Sequence, residues 1–280
     1  MARTGDFAAI MRENRQMDLK ERLHLVTRLS MPAILSQITE IMMQYIDAAM
    51  VGSLGAAASA SIGLVSSSTW LTGGLMMAAA AGFSVQAAHA VGAGDIEKTR
   101  SLFRQSLVSC ALFAAVLLCI GIPVSSRLPQ WLRADPAIWH NAEWYFKIFC
   151  FFIPVRQLCY LGMQMLQRSG DMKTPSICAA LSCVLDVIFN FLLIFPTRVI
   201  SVFGMEMTVF GAGLGVAGAQ LGTSLSMLVS MLIVCYCAVV RSDKLSLIHE
   251  KGSWAPQKNV LAEAMRIGVP MALEQSALTL

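Results

Sequence analysis

Charge is what this sequence has least of. Only 14% of its 280 residues are Asp, Glu, Lys or Arg, against about 25% in a soluble globular domain. That shortage, with 56% hydrophobic residues and a mean hydropathy of +0.64, excludes an ordinary soluble fold and points to an integral membrane protein. Histidine is also scarce. The four present, His24, His89, His140 and His249, lie at the edges of apolar runs or between them. An intramembrane enzyme, a rival reading, would want a metal-binding His/Asp cluster or a nucleophile motif in the runs; they hold neither, so no enzyme is expected. The eight cysteines fall inside apolar runs, and none has CxxC spacing. They read as small packing groups. Residues 1–24 lack the continuous apolar core of a cleavable signal peptide.

Long hydrophobic runs are abundant. Six cover 31–52, 62–86, 106–124, 144–166, 176–195 and 212–240, each about long enough for a spanning helix. A seventh begins near Gly268. The expected fold class is an all-α membrane protein: a six-span helix bundle plus the first part of span seven. Lys and Arg number six in 1–30, three in 92–105, two in 167–175 and five in 241–267. The opposite side holds only Arg127, Arg133 and Arg198. This bias predicts a cytoplasmic N-terminus and cytoplasmic even-numbered connections. The net charge of +4 therefore reports topology, and no nucleic-acid partner is expected. Met17–Met31 is basic and amphipathic and is expected to lie on the inner leaflet before span one.

The start of span one has an echo. Arg28, Pro32, Leu35 and Gln37 recur as Arg266, Pro270, Leu273 and Gln275, all at an offset of 238 (266 − 28, 270 − 32, 273 − 35, 275 − 37). Both copies follow a basic segment, and both are expected to place proline in a first helical turn, where its missing N–H does no harm. Six intervening spans make the second copy parallel to the first. The pattern predicts a fragment or truncated product of a twelve-span, two-lobe protein. Residues 1–30 would be a cytoplasmic N-terminal segment and 31–240 the first lobe. Residues 241–267 would be the inter-lobe linker and 268–280 the start of span seven. The rest of the second lobe would be a partner from the same chain.

Polar residues inside the spans are few and ordered. Gln37, Glu40, Gln44 and Asp47 are spaced 3, 4 and 3 and share one face of span one. Gln157, Tyr160, Gln164 and Gln167 repeat that spacing in span four, beside Arg156. The second stripe serves either substrate contact or hydrogen bonding between helices. Arg156 is placed to neutralise Glu40. Span five carries Ser182, Asp186 and Asn190 at i, i+4, i+8, and span six carries Thr223. From the cytoplasmic end, Asp47 lies about 24 Å along its helix, Asn190 about 21 Å and Thr223 about 26 Å. These groups can therefore meet. Two carboxylates, an amide oxygen and a hydroxyl form a hard-oxygen set suited to Na+ or to a shared proton. Asp47, Asp186, Asn190 and Thr223 are the candidate ion-coupling residues. Gln37, Glu40, Gln44, Gln157, Tyr160 and Gln164 are candidates for a substrate cavity.

"MPAILSQITEIMMQYIDAAMVGSLG" resembles the first span of the multidrug and toxic compound extrusion (MATE) family. "AVGAGDIEKTR" and "LQRSGDMKTP" are similar to cytoplasmic loops of that family, and "LDVIFNFLLIF" with "GLGVAGAQLGT" to its fifth and sixth spans. The resemblance runs from about Arg28 to Leu280. It implies a two-lobe transporter in the bacterial inner membrane that exports small organic, often cationic, compounds against Na+ or H+ flow, with no cofactor beyond that ion. The family's N-lobe coupling site then maps to Asp47, Asp186, Asn190 and Thr223. One departure is plain: the family pattern in span five has Asn first and Asp four residues later, and here the two are exchanged. Glu274 lies only four residues after Pro270, too early for the family's span-seven carboxylate. The rival reading is a flippase for a lipid-linked saccharide precursor. Its cationic cavity finds only Arg156 here, against Glu40, Asp47 and Asp186.

Overall fold

Each apolar run folds as helix, and the breaks fall where glycine, proline or a capping aspartate dictates. The computed structural model describes residues 19–202, 205–248 and 252–279; residues 1–18 of the expected N-terminal segment lie outside them. In chain order the elements are α1 (Leu19–Gly52), α2 (Ala56–Ala93), α3 (Ile96–Ser125), the single turn α4 (Leu128–Trp131), α5 (Pro136–Phe151), α6 (Ile153–Arg168) and α7 (Lys173–Ile194). There follow strands β1 (Pro196–Val202) and β2 (Met205–Ala212), α8 (Gly215–Tyr236) with a π-helical turn Cys237–Arg241, and α9 (Lys258–Thr279).

The junctions follow from local chemistry. Gly94 ends α2 in the left-handed region (φ 77°), where a side chain is disfavoured. Asp95 then caps α3 by accepting from the Lys98 amide at 2.9 Å. Asp135 caps α5 in the same way through Ala137, with Pro136 in the first turn. Span four breaks at Phe152, just before Pro154, and its halves meet at a bend of 51°.

Three boundaries differ from the sequence reading. The basic amphipathic stretch is not a separate surface segment: from Leu19 it is continuous with span one as one 34-residue helix. Leu, Arg, Glu and Lys are good helix formers, and nothing before Pro32 interrupts them. Pro32 therefore lies inside α1, and Pro270 inside α9. Helix α9 starts at Lys258, within the predicted linker. The connection between spans five and six, where the sequence pattern predicts no element, is an antiparallel hairpin pairing Arg198 with Val209 and Val199 with Thr208. Its β-branched residues suit strands. The Arg198 guanidinium lies 4.4 Å over the Phe191 ring and 4.2 Å over Phe195, fixing the hairpin on the end of α7.

Helices α2, α3, α7 and α8 with its π turn are long and apolar enough to cross a membrane, and the bent pair α5–α6 makes a fifth. Helix α1 is not among them, because its polar face dilutes its apolar one. Lipid-facing stripes show as exposed Leu112, Val116 and Ile120 on α3 and Ile177, Val184 and Ile188 on α7. Inside, three apolar clusters run along the bundle. One centres on Phe83, Phe103, Leu161 and Met165, a second on Val65, Phe146, Phe149 and Ile153, and a third on Val51, Ile194, Val216 and Ala219. Five cysteines are buried, and all eight are free thiols.

Helix α9 lies antiparallel along α2 on a seam of small residues. Ala264 sits against Gly82, Gly268 against Ala78 and Gln275 against Gly74. The approach to it is tied to the bundle. Arg100 donates to the Asp243 carbonyl (2.8 Å), Arg104 to that of Ser253 (2.9 Å) and Gln86 to that of Val260 (3.1 Å). Gln105 accepts from the Gln257 amide at 2.9 Å. A Cβ on Gly82 would stand 3.0 Å from the Ala264 carbonyl carbon and 3.1 Å from its Cα. Gly82→Val is therefore expected to cost about 1–3 kcal/mol through overpacking and to lower the melting temperature in detergent. Gly73→Ala, with nothing within 4 Å, should not lower it. Equal melting of both variants would contradict the seam.

Candidate functional site

The site forms where α1, α7 and α8 converge, and α7 supplies its centre. Asp186 and Asn190 are one turn apart on the same face, and both are fully buried (0% exposed). The Asn190 amide nitrogen donates to Asp47 Oδ1 on α1 at 2.7 Å and to Asp186 Oδ2 at 3.1 Å. One amide thus bridges two carboxylates on different helices. The orientation is dictated by its neighbours, since the amide oxygen in that place would face two anions. Gly222 on α8 makes the room: a Cβ there would strike the Asn190 side chain. Asp47 is only partly buried, so the pair has one fully enclosed carboxylate and one nearer the surface.

Helix α8 adds two hydroxyls. Thr223 and Ser226 approach Asp186, but their protons go to their own helix. Thr223 donates to the Ala219 carbonyl at 3.1 Å and Ser226 to that of Thr223 at 2.8 Å. Their lone pairs are what remain for the site. Asp186 Oδ1 and Asn190 Oδ1 are buried without a hydrogen-bond partner. The cluster therefore holds a surplus of acceptors, with the Asn190 amide as the donor between them. A buried acceptor without a donor is costly, and a cation or added protons remove that cost. Among the described residues no group of three or more His, Cys, Asp or Glu side chains forms a metal site. Two carboxylates with neutral oxygens suit a hard monovalent ion or a proton better than a transition metal.

Two further residues border the cluster. Tyr145 on α5 packs between two apolar clusters and lies within electrostatic range of Asp47, Asp186 and Arg156. Arg156, in the first turn of α6 after the break, is 8% exposed and stacks over Phe149 at 4.9 Å. Sequence reasoning missed Tyr145 and Ser226. Ser226 was findable, three residues after Thr223 on the same face. Tyr145 was not, because it stands outside the polar stripes of the spans.

The remaining candidates divide. Gln157 is fully buried and donates to the Met76 carbonyl at 3.2 Å, so it ties α6 to α2 and lines no open cavity. Gln164 does the same one level on: it donates to the Met77 carbonyl at 3.3 Å and accepts from Ser84 at 3.0 Å. Tyr160 is half-buried against two apolar clusters. Gln37 and Gln44 are exposed on α1. The side chain of Glu40 lies outside the described residues. A separate concavity between α2, α3 and α9, lined by Gln86, His89, Asp95, Lys98 and Glu263, holds none of these residues.

The MatE family profile matches residues 32–192, more than half of the chain. The chain is 28% identical over 252 residues to the Thermotoga maritima protein named "Probable multidrug resistance protein NorM", covering 88% of this chain and 50% of that one. It is 22% identical over 171 residues to a "FAD transporter" of Shewanella oneidensis, covering 61% and 38% respectively. Among solved structures it resembles a MOP superfamily transporter from Pyrococcus furiosus, with a TM-score of 0.77 and 22% identity. An outward-facing multidrug resistance MATE family transporter gives 0.76 and 22%. Each structural match covers 89% of this chain and 52% of the other. At that identity the structures establish the fold. The chain spans half or less of the length of the relatives it matches. It is an integral, multi-pass membrane protein and belongs to the MatE family.

Proposed function

We propose that this chain forms the ion-coupling half of a secondary transporter that exports small organic, often cationic, compounds in exchange for Na+ or H+. The carrying observation is the acceptor surplus around Asp47, Asp186, Asn190 and Thr223 in the bundle interior. An intramembrane carboxylate is expensive and is retained where it is used. Asp47 is the entry ligand, because it is the more exposed of the pair, and Asp186 is the enclosed one. Helix α1 packs chiefly on α7 and only lightly on α2. The Asp47–Asn190 hydrogen bond therefore contributes much of its polar attachment. A cation between the carboxylates would draw Asp47 toward Asp186, shift α1 and change the substrate surface that its exposed face, with Gln37 and Gln44, presents. The organic substrate would leave as the ion binds, and the two lobes would then rock to load the next one. The setting is a bacterial inner membrane, with the N-terminus in the cytoplasm. The Shewanella oneidensis relative is named for FAD transport, so a flavin nucleotide belongs in the substrate panel beside cationic dyes.

Three outcomes test this reading in a full-length protein carrying the chain. Cells lacking other exporters should lose a cationic dye when a Na+ or H+ gradient is imposed, and Asp47→Asn should abolish that loss. Equal retention in wild type, Asp47→Asn and empty vector would instead favour the lipid-linked saccharide flippase. Thr223→Val removes one neutral oxygen at constant volume. It should raise the ion concentration for half-maximal efflux by about tenfold, matching a ligand worth about 1.4 kcal/mol, with the maximal rate little changed. An unchanged ion dependence would remove Thr223 from the site. Alkaline phosphatase fused within 167–175 should be inactive, and fused near Arg133 active; the reverse would overturn the topology.

A further inference from the structure

One cation of this chain lies away from that site, on the lipid side of the bundle. Helix α7 carries an exposed apolar stripe at Ile177, Leu181, Val184 and Ile188. Phe191 and Phe195 continue it, keeping the alternating spacing of 4 and 3. Asp186 and Asn190 are buried on the opposite face. The helix has 22 residues, about 33 Å of rise, which matches the roughly 30 Å hydrocarbon core of a bilayer. Its hairpin end therefore stands at a headgroup layer. Strand β1 starts there, and Arg198 lies back over the stripe, 4.4 Å from the Phe191 ring centre and 4.2 Å from that of Phe195. The two rings are 6.2 Å apart and inclined at 62°, so together they form a shelf for the guanidinium. These contacts use its charge and leave its five N–H donors unused. Among the described residues those donors meet no hydrogen-bond or ion-pair acceptor, and the side chain is only partly buried.

We propose that Arg198, on its shelf of Phe191 and Phe195, binds the phosphodiester of an anionic bilayer phospholipid at the hairpin end of α7. A guanidinium fork matches two phosphate oxygens and forms charge-assisted hydrogen bonds to them. The occupant is a lipid because the shelf closes a lipid-facing stripe. With the phosphate on Arg198, the acyl chains run down past Ile188 and Val184, which are exposed on the same face. A free phosphate gains the charge pairing and none of that apolar contact. An anionic headgroup is favoured over a zwitterionic one, whose own ammonium group competes for the phosphate. The connections on this side carry only Arg127, Arg133 and Arg198, so the binding is a local site and not the pull of a basic surface. The proposal is independent of the ion-coupling reading, which uses the opposite face of α7.

The test is native mass spectrometry of the purified full-length protein in detergent with increasing phosphatidylglycerol. Arg198→Gln should need about tenfold more phosphatidylglycerol than wild type to fill its tightest lipid position. Arg198→Met, whose chain covers the same two rings without the charge, should give the same shift, and it stands in should Arg198→Gln fold poorly. Arg133→Gln, which removes an exposed cation on the same side, should bind as wild type does. Phosphatidylcholine should bind wild type and Arg198→Gln alike, and a millimolar excess of inorganic phosphate should leave the bound phosphatidylglycerol in place. Superimposable phosphatidylglycerol curves for wild type and the Arg198 variants would overturn the proposal and leave Arg198 a staple of the hairpin alone. An equal shift in Arg133→Gln would mean general charge attraction, and displacement by inorganic phosphate would mean a site for a soluble anion. A phosphatidylcholine curve shifted as far by Arg198→Gln would remove the preference for an anionic headgroup. Each of these results would overturn the proposal.

Discussion

One amide holds the functional end of this bundle together. Asn190 donates from the same nitrogen to carboxylates on two helices, one of which, Asp186, is fully buried. Without it, the two carboxylates would lose their shared donor, and α1 one of its polar contacts with α7. The rest of the site is arranged around that contact. Gly222 yields space for it, the α8 hydroxyls turn their protons away from it, and the third apolar cluster packs beside it.

Polar groups in this membrane bundle fall into two populations with different physics. Gln157, Gln164, Ser84 and Gln86 reach across to neighbouring helices and complete hydrogen bonds there; they hold α6 and α9 to α2. The other population, Asp186, Asn190 and Arg156, keeps buried atoms without partners, and Gln157 shares that feature, since its amide oxygen is unpaired although its nitrogen is bonded. An unpaired buried group destabilises the fold, so it persists where something else is gained. Both populations look alike as stripes spaced 3 and 4 along a sequence. Partner geometry separates them.

That distinction marks what was legible beforehand. The helices follow from the lengths of the apolar runs. The meeting of Asp47, Asp186 and Asn190 followed from depth along the helices, because a straight span converts residue number into height. What escaped was whatever depended on packing between elements. The hairpin at Pro196–Ala212 is too short to register against the apolar runs around it. The merger of the amphipathic stretch with α1 depends on the absence of any break before Pro32. Tyr145 stands outside the polar stripe of span four, so its spacing gave no sign of its place between two apolar clusters. Gln157 was indistinguishable from a cavity residue until the Met76 carbonyl stood opposite it.

The claim at the centre is that Asp47 and Asp186 change their ionic state or ligation when the coupling ion binds. Infrared difference spectroscopy reads this directly, comparing the purified protein in alkaline Na+-free buffer with the same protein after Na+ addition or acidification. The account predicts a carboxyl or carboxylate band that responds to one of the two ions and is lost in Asp47→Asn and in Asp186→Asn. Difference spectra that neither substitution alters would contradict it.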